Sequence, residues 1–315
     1  VFVFPIAIHD DLGQIARMTL EQLRIFVGVA EREHVTAAAR ALNVTQSAAS
    51  AAIAALEERH AIKLFDRVGR GIRLTEAGRA FLEEARGVLA RAAAAELLLE
   101  EFGGLRRGSL RVMASQTIAA YWLPAILALF RERYPGIAVN LSIGNTEQTA
   151  HLIHEGEADI GIVEGRVDDP MLAHWPLGED RLMLVAAPHV APQPIDAAWL
   201  QRARWVMREP GSGTRSTLNE NLRLLGVDPA TLDVALVLPS NESARTAVEV
   251  GAGIAALSSL VVVPAINAGR LQALPIDFGP RSFFGLRHKE RYRTRAADAL
   301  LELIAEVRPS LAPLS

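Results

Sequence analysis

Residues 36–58, TAAARALNVTQSAASAAIAALEE, decide how the front of this chain is read. The stretch is rich in alanine and so favours helix. It is nonetheless cut by Asn43-Val44 and restarts with Thr45-Gln46-Ser47. The pattern predicts a short helix over 37–42 capped by Thr36, a turn at Asn43-Val44, and a second helix capped by Thr45 and running to about residue 60. Two helices joined by so short a turn form a helix-turn-helix, whose second helix carries its first residues to base edges in the DNA major groove. Ala38, Ala39, Leu42, Ile53 and Leu56 would then face a small core, and Gln46, Ser47 and Ser50 would face outward. Glutamine can pair with adenine through two hydrogen bonds, and serine suits base edge or phosphate. The alternative is a capped amphipathic helix whose polar residues only satisfy backbone N–H groups. Upstream, Leu20, Leu23, Phe26, Val27 and Ala30 recur at helical spacing.

Downstream, RHAIKLFDRVGRGIRLTEAGR (59–79) holds six basic against two acidic residues, a local +4 in a chain whose net charge is −3. Gly69 and Gly71 flank Arg70, reading as a hairpin tip. A basic tip beside a helix-turn-helix is a wing suited to phosphate or minor-groove contact, the alternative being a solvated charged loop. Arg67, Arg70 and Arg73 are its candidate contacts. With Thr36, Thr45, Gln46, Ser47 and Ser50 they make up the expected DNA-binding set. A long helix follows to about residue 102. Phe81, Ala85, Val88, Ala92, Ala95, Leu99 and Phe102 repeat in it at alternating spacings of four and three, a coiled-coil seam that predicts a dimer. Gly103, Gly104 and Gly108, with Arg106 and Arg107, read as a hinge.

From Ser109 onward short apolar strands alternate with helices, which predicts α/β structure with largely parallel sheets, in two small lobes. The 315 residues suffice for two or three domains, and the composition is that of an ordinary globular chain. There is no cysteine, so disulfides, thiolate metal sites and a cysteine nucleophile are excluded. The absence fits a reducing, cytoplasmic setting. The opening VFVFPIAI lacks a basic start and contains Pro5, unlike a secretory signal, and residues 1–17 are expected to be a poorly ordered extension. Residues 251–269 carry no charge and are long enough to span a bilayer. Gly251, Gly253, Ser258, Ser259, Pro264 and Asn267 make them a buried strand and short helix instead, so no membrane is expected as a partner.

The segment from LRIFVGVAE to LTEAGR resembles the N-terminal domain of LysR-type transcriptional regulators. GSLRVMASQTIAAYWLP and PGSGTR resemble their effector domain, and the likeness covers about 18–307. It implies a winged helix-turn-helix at 18–76, a linker and dimerisation helix with hinge at 77–107, and a two-lobed α/β domain like periplasmic binding proteins at 108–310. It implies promoter DNA and a small molecule as partners, and homodimers that often pair into tetramers. VNLSIGNTEQ and PSNESARTAVEVGAGIAAL look most like regulators of inorganic sulfur or carbon dioxide fixation genes. Ala51 and Ala52 depart from the larger polar or basic residues many members carry there, which throws base reading onto Gln46, Ser47, Ser50 and the wing.

In open α/β sheets ligands bind beyond the carboxyl ends of strands. Four strand-to-helix turns there are alike: Ser115-Gln116-Thr117, Asn145-Thr146, Ser212-Gly213-Thr214-Arg215 and Asn241-Glu242-Ser243. Hydroxyls and free N–H groups at helix starts suit an anion, and Arg215 adds a paired donor. These turns form the expected effector site, although each alone is an ordinary helix cap. GSGT lacks the lysine of a phosphate loop. His151 and His154 have no third ligand, and no serine has a nucleophile-elbow context. The chain is therefore expected to need no cofactor and to be a regulator, not an enzyme. A two-lobed solute receptor is the other reading, but it leaves residues 18–102 unexplained.

Overall fold

The computed structural model describes residues 18–68, 71–101, 108–188 and 194–307. The chain divides into two compact units, residues 1–96 and 97–315. In the first, helix α1 (Leu20–Arg32) opens with a reciprocal cap. Thr19 Oγ1 accepts from the Gln22 amide at 3.2 Å and Gln22 Oε1 accepts from the Thr19 amide at 3.1 Å. Helix α2 (Val35–Ala41) starts earlier than the sequence suggested. His34, not Thr36, is its cap, with Nδ1 accepting from Ala37 N at 3.2 Å, and Thr36 lies half-buried in the first turn. The turn into α3 (Gln46–His60) places Asn43 at φ 56°, a left-handed conformation that asparagine tolerates. Thr45 Oγ1 caps α3 by accepting from Ala48 N at 3.1 Å. Ala38, Ala39, Ile53 and Leu56 are buried as expected, and Leu42 is half-buried.

Strands β1 (Phe65–Val68) and β2 (Gly71–Leu74) pair antiparallel as the expected hairpin. Phe26, fully buried, joins the helices to the hairpin and the long helix α4 (Glu76–Glu101), its ring 5.5 Å from Phe65 and 4.8 Å from Phe81. The expected α4 seam therefore divides. Phe81 and Ala85 belong to this unit's own core, while Val88 and Ala95 are exposed. The Leu99 side chain and residues 102–107, with most of the expected hinge, lie outside the described residues, while Gly108 starts a strand.

The second unit begins with β3 (Gly108–Ser115), a π-helical turn at Ile118–Trp122, α5 (Leu123–Arg133), β4 (Ile137–Gly144), α6 (Thr146–Glu155) and β5 (Ile160–Glu164). Then come β6 (Leu172–Ala186), α7 (Ala197–Arg202), β7 (Arg204–Arg208), α8 (Gly213–Leu224), β8 (Asp233–Leu238), α9 (Asn241–Glu249), β9 (Ala255–Ser258), α10 (Ser259–Asn267), β10 (Gln272–His288) and α11 (Arg295–Val307). The apolar run at 251–269 is thus a buried strand and a helix. Among the described residues no helix is long and apolar enough to cross a membrane.

Parallel pairing is only part of the sheet. β4, β3 and β5 run parallel, but β10 is antiparallel to both β5 and β6, giving the order β4-β3-β5-β10-β6-β9. The sequence hid the length of β6 (15 residues) and β10 (17 residues) because Pro176, Gly178, Gly279 and Pro280 interrupt their patterns. These two strands run through both lobes. Lobe I packs Phe130, Ile162, Phe283 and Leu300 around β3–β5. Lobe II packs Trp205, Leu218 and Leu222 on one side and Val206, Val248 and Val262 on the other.

Candidate functional site

On the first unit, Gln46, Ser47 and Ser50 are exposed on the opening turns of α3, and Thr45 Oγ1 lies 3.0 Å from Ser47 Oγ. Arg67 and Arg73 are exposed on adjacent strands of the hairpin, and Arg70 lies outside the described residues. One buried charge, missed in the sequence, ties the two parts together. Glu57, near the end of α3, accepts from the Leu64 amide at 2.9 Å, the Phe65 amide at 3.2 Å and Lys63 Nζ at 2.6 Å. Burial pushes its pKa up, but those three donors outweigh burial and hold it below the usual glutamate value. The wing thus enters β1 hydrogen-bonded to the helix beside it.

In the second unit the four polar turns meet in two groups between the lobes. In one, Asn241 at the start of α9 donates its amide to Gln116 Oε1 at 2.6 Å and its side-chain Nδ2 to Thr117 Oγ1 at 3.0 Å. Beside it Tyr121 donates to Glu242 Oε1 at 2.8 Å, and burial followed by that carboxylate pushes the phenol up to about 12. In the other, the Asn145 cap of α6 donates Nδ2 to the Pro210 carbonyl at 3.4 Å, and Glu147 N donates to the Gly211 carbonyl at 3.2 Å. Gly213 lies so close to lobe I that a Cβ there would sit 2.1 Å from the Glu164 carbonyl and 2.6 Å from Thr146 Oγ1.

Several donors expected for an anion are already engaged. Thr146 Oγ1 donates to the Glu164 carbonyl at 2.9 Å, Thr214 Oγ1 accepts from Arg281 at 2.9 Å, and Arg215 donates to the Arg208 carbonyl at 3.0 Å. The start of α8 differs: the side chain of its cap residue, Ser212, makes no capping bond. The Ser115 hydroxyl, at the end of β3, is buried without a hydrogen-bond partner.

The sequence reading missed two buried cations. Arg208, at the end of β7, reaches Asn241 Oδ1 and forms a fork with Glu209 at 2.9 and 3.1 Å. Arg281, on β10, binds both oxygens of Asp180 at 2.8 and 2.5 Å and lies 3.8 Å from Glu164, while Ser258 donates to Asp180. Burial opposes the Arg281 charge, yet Glu164 and Asp180 outweigh it and push its pKa up. Both arginines occupy buried positions in otherwise apolar strand sequence, RWVMR and GPRSFF. A charge there is costly unless paired, and that cost was the available signal. Among the described residues no group of three or more histidines and acids is arranged to hold a metal.

Comparison with known proteins fits both halves. The family model for the bacterial regulatory helix-turn-helix protein, lysR family, matches residues 20–79, and the LysR substrate binding domain model matches residues 103–309. The uncharacterized HTH-type transcriptional regulator YeiE of Escherichia coli K12 is 33% identical over 90% of this chain and 96% of its own. A probable RuBisCO transcriptional regulator of Cyanidioschyzon merolae is 31% identical over 92% and 98%, so the carbon dioxide fixation side of the subgroup resemblance is supported. Among solved structures, the CcmR regulatory domain of Synechocystis PCC6803 in complex with 2-PG is 27% identical, with TM-score 0.58 over 64% of this chain and 98% of that one. Two matched domain models and relatives aligned along nearly the whole chain place this protein in the LysR family of transcriptional regulators.

Proposed function

We propose that this regulator reads its promoter through Gln46, Ser47 and Ser50 with the arginine wing, and that a small anion in the interlobe cleft modulates that binding. The observation that carries the effector class is Arg208, a buried guanidinium set among Asn241, Gln116 and Thr117. A buried cation beside helix starts and hydroxyls is chemistry for a carboxylate, sulfate or phosphate. The unpartnered Ser115 hydroxyl and the uncapped start of α8 add donors. Similarity to a regulatory domain that holds 2-PG supports a small ligand in this fold. The exposed Val88 and Ala95 on α4 support a dimer through that helix, and DNA reading by two copies follows from it.

Calorimetric titration of the full chain with sulfate, phosphate and short carboxylates, alongside a promoter footprint, tests the reading. At least one anion is expected to bind and to change the footprint. Binding only of apolar or cationic metabolites would reduce the four turns to helix caps. On the DNA side, Gln46→Ala is expected to cost about 1–3 kcal/mol at the operator and little on random DNA. Arg67→Ala is expected to weaken both and lower the salt slope by about one unit. Equal losses on both DNAs for both variants would overturn the assignment.

A further inference from the structure

We propose that Glu209 is an internal counter-ion, holding the Arg208 fork until an effector oxyanion displaces it, and that this exchange is transmitted to the lobe junction. The inference rests on the anionic-effector reading and adds how the site is kept and switched.

Arg208 is 5% exposed, and a guanidinium so buried cannot stand unpaired. Its Nη1 is committed to Asn241. Its Nε and Nη2 meet the two oxygens of Glu209 in parallel, the geometry a guanidinium offers equally to a carboxylate, sulfate or phosphate. Neighbouring residues on a strand point to opposite faces. The pairing is possible because Glu209 lies just past the end of β7, where the chain turns. The Glu209 side chain is more exposed than its partner, 21% against 5%, so the fork is shielded from water by a group that can swing out.

The next two residues carry the consequence. The Pro210 and Gly211 carbonyls are the ones that receive Asn145 and Glu147 from lobe I. Gly211 sits at φ 82°, and a Cβ there would lie 2.6 Å from the Glu147 carboxylate. A Glu209 driven off the fork therefore pulls directly on a strap that joins β7 to the start of α6. An oxyanion with two coplanar oxygens takes its place, whereas chloride, with no fork to offer, does not.

The test is titration of the full chain with inorganic phosphate, sulfate and chloride, comparing wild type with Glu209→Gln, Arg208→Met and Arg208→Lys. Each variant is first checked for an unchanged melting profile, and Arg208→Lys serves if Arg208→Met does not fold. Removing the competing charge is expected to tighten phosphate or sulfate binding about tenfold in Glu209→Gln, because the competent fork is populated more of the time. Arg208→Met is expected to lose binding, and Arg208→Lys to weaken it about tenfold for want of the fork. Hydrogen exchange at the Glu147 amide is expected to quicken in wild type on phosphate addition, and to be quick in Glu209→Gln without it. If wild type binds phosphate or sulfate and Glu209→Gln binds no tighter, the counter-ion role is overturned while the anionic reading stands. If neither protein binds any oxyanion, the anionic reading falls and takes this inference with it.

Discussion

Replacing Arg281 by methionine removes the cation that faces the buried carboxylates of Asp180 and Glu164. Arg281 is 3% exposed and gives two hydrogen bonds to Asp180 and one to Thr214. Methionine restores most of the bulk, so cavity formation contributes little. What remains is Asp180, 1% exposed, with the Ser258 hydroxyl as its surviving side-chain donor, and Glu164, 2% exposed, with its nearest cation gone. Breaking a buried pair from one side costs about 3–5 kcal/mol, against about 0–1 kcal/mol for a surface pair. For a unit of roughly 200 residues each kcal/mol moves Tm by about 2–4 °C, so a fall of about 6–20 °C is expected in its transition. Calorimetric melting of the full chain measures it. Asp180→Asn added to Arg281→Met is expected to cost less than the two single losses together, since the stranded charge goes with it. A shift under about 2 °C for Arg281→Met would refute the reasoning, because it would mean that water reaches these groups and screens them.

Glu57→Ala strands the Leu64 and Phe65 amides and is expected to cost about 1–3 kcal/mol and to weaken DNA binding. Because the folded-state pKa of Glu57 is lowered, its contribution is present above the unfolded value and is lost as pH falls through the folded one. In unfolding of the first unit followed against pH, the stability advantage of wild type over Glu57→Gln is expected to be full above the ordinary glutamate value and to shrink as pH falls, because the variant lacks that dependence. Gly213→Ala places a methyl group 2.1 Å from the Glu164 carbonyl, so about 1–3 kcal/mol of overpacking is expected, with loss of the effector response in a footprint. Tyr121 is expected to ionise at about 12 in a phenolate absorbance titration. Its contact with Glu242 favours the folded state below pH 10 and is lost as pH rises from 10 towards 12; Glu242→Gln is expected to bring the midpoint down.

The helix-turn-helix was legible because its signals are local: an alanine run, one turn residue, a hydroxyl cap and a glycine-flanked arginine. Even there the cap of α2 fell to His34, since an imidazole nitrogen can accept from an amide as a hydroxyl oxygen does. The cleft was legible as four polar turns, because each lies where a strand meets a helix. Who bonds to whom was not. Thr146 and Thr214 spend their hydroxyls on Glu164 and Arg281, residues 18 and 67 positions away, and no spacing rule reaches that far. The two arginines that matter most to the electrostatics looked like strand ends, and Arg215, the cation the sequence suggested, serves a backbone carbonyl instead.

The path of β6 and β10 has a consequence for how the second unit comes into being. Glu179 pairs with Ser282, about a hundred residues later, and most of the described elements between them build lobe II. Lobe I therefore cannot finish its sheet from its own first strands. On the ribosome β3, β4 and β5 emerge early and wait, with one edge of β5 open, while lobe II is made. Closing so long a loop is entropically costly and slow, and an open apolar edge invites pairing with another chain in the meantime. Nascent chains stopped between Glu164 and Phe283 should thus be the aggregation-prone ones, and the passage of β10 into its slot is the step at which both lobes become one folded body.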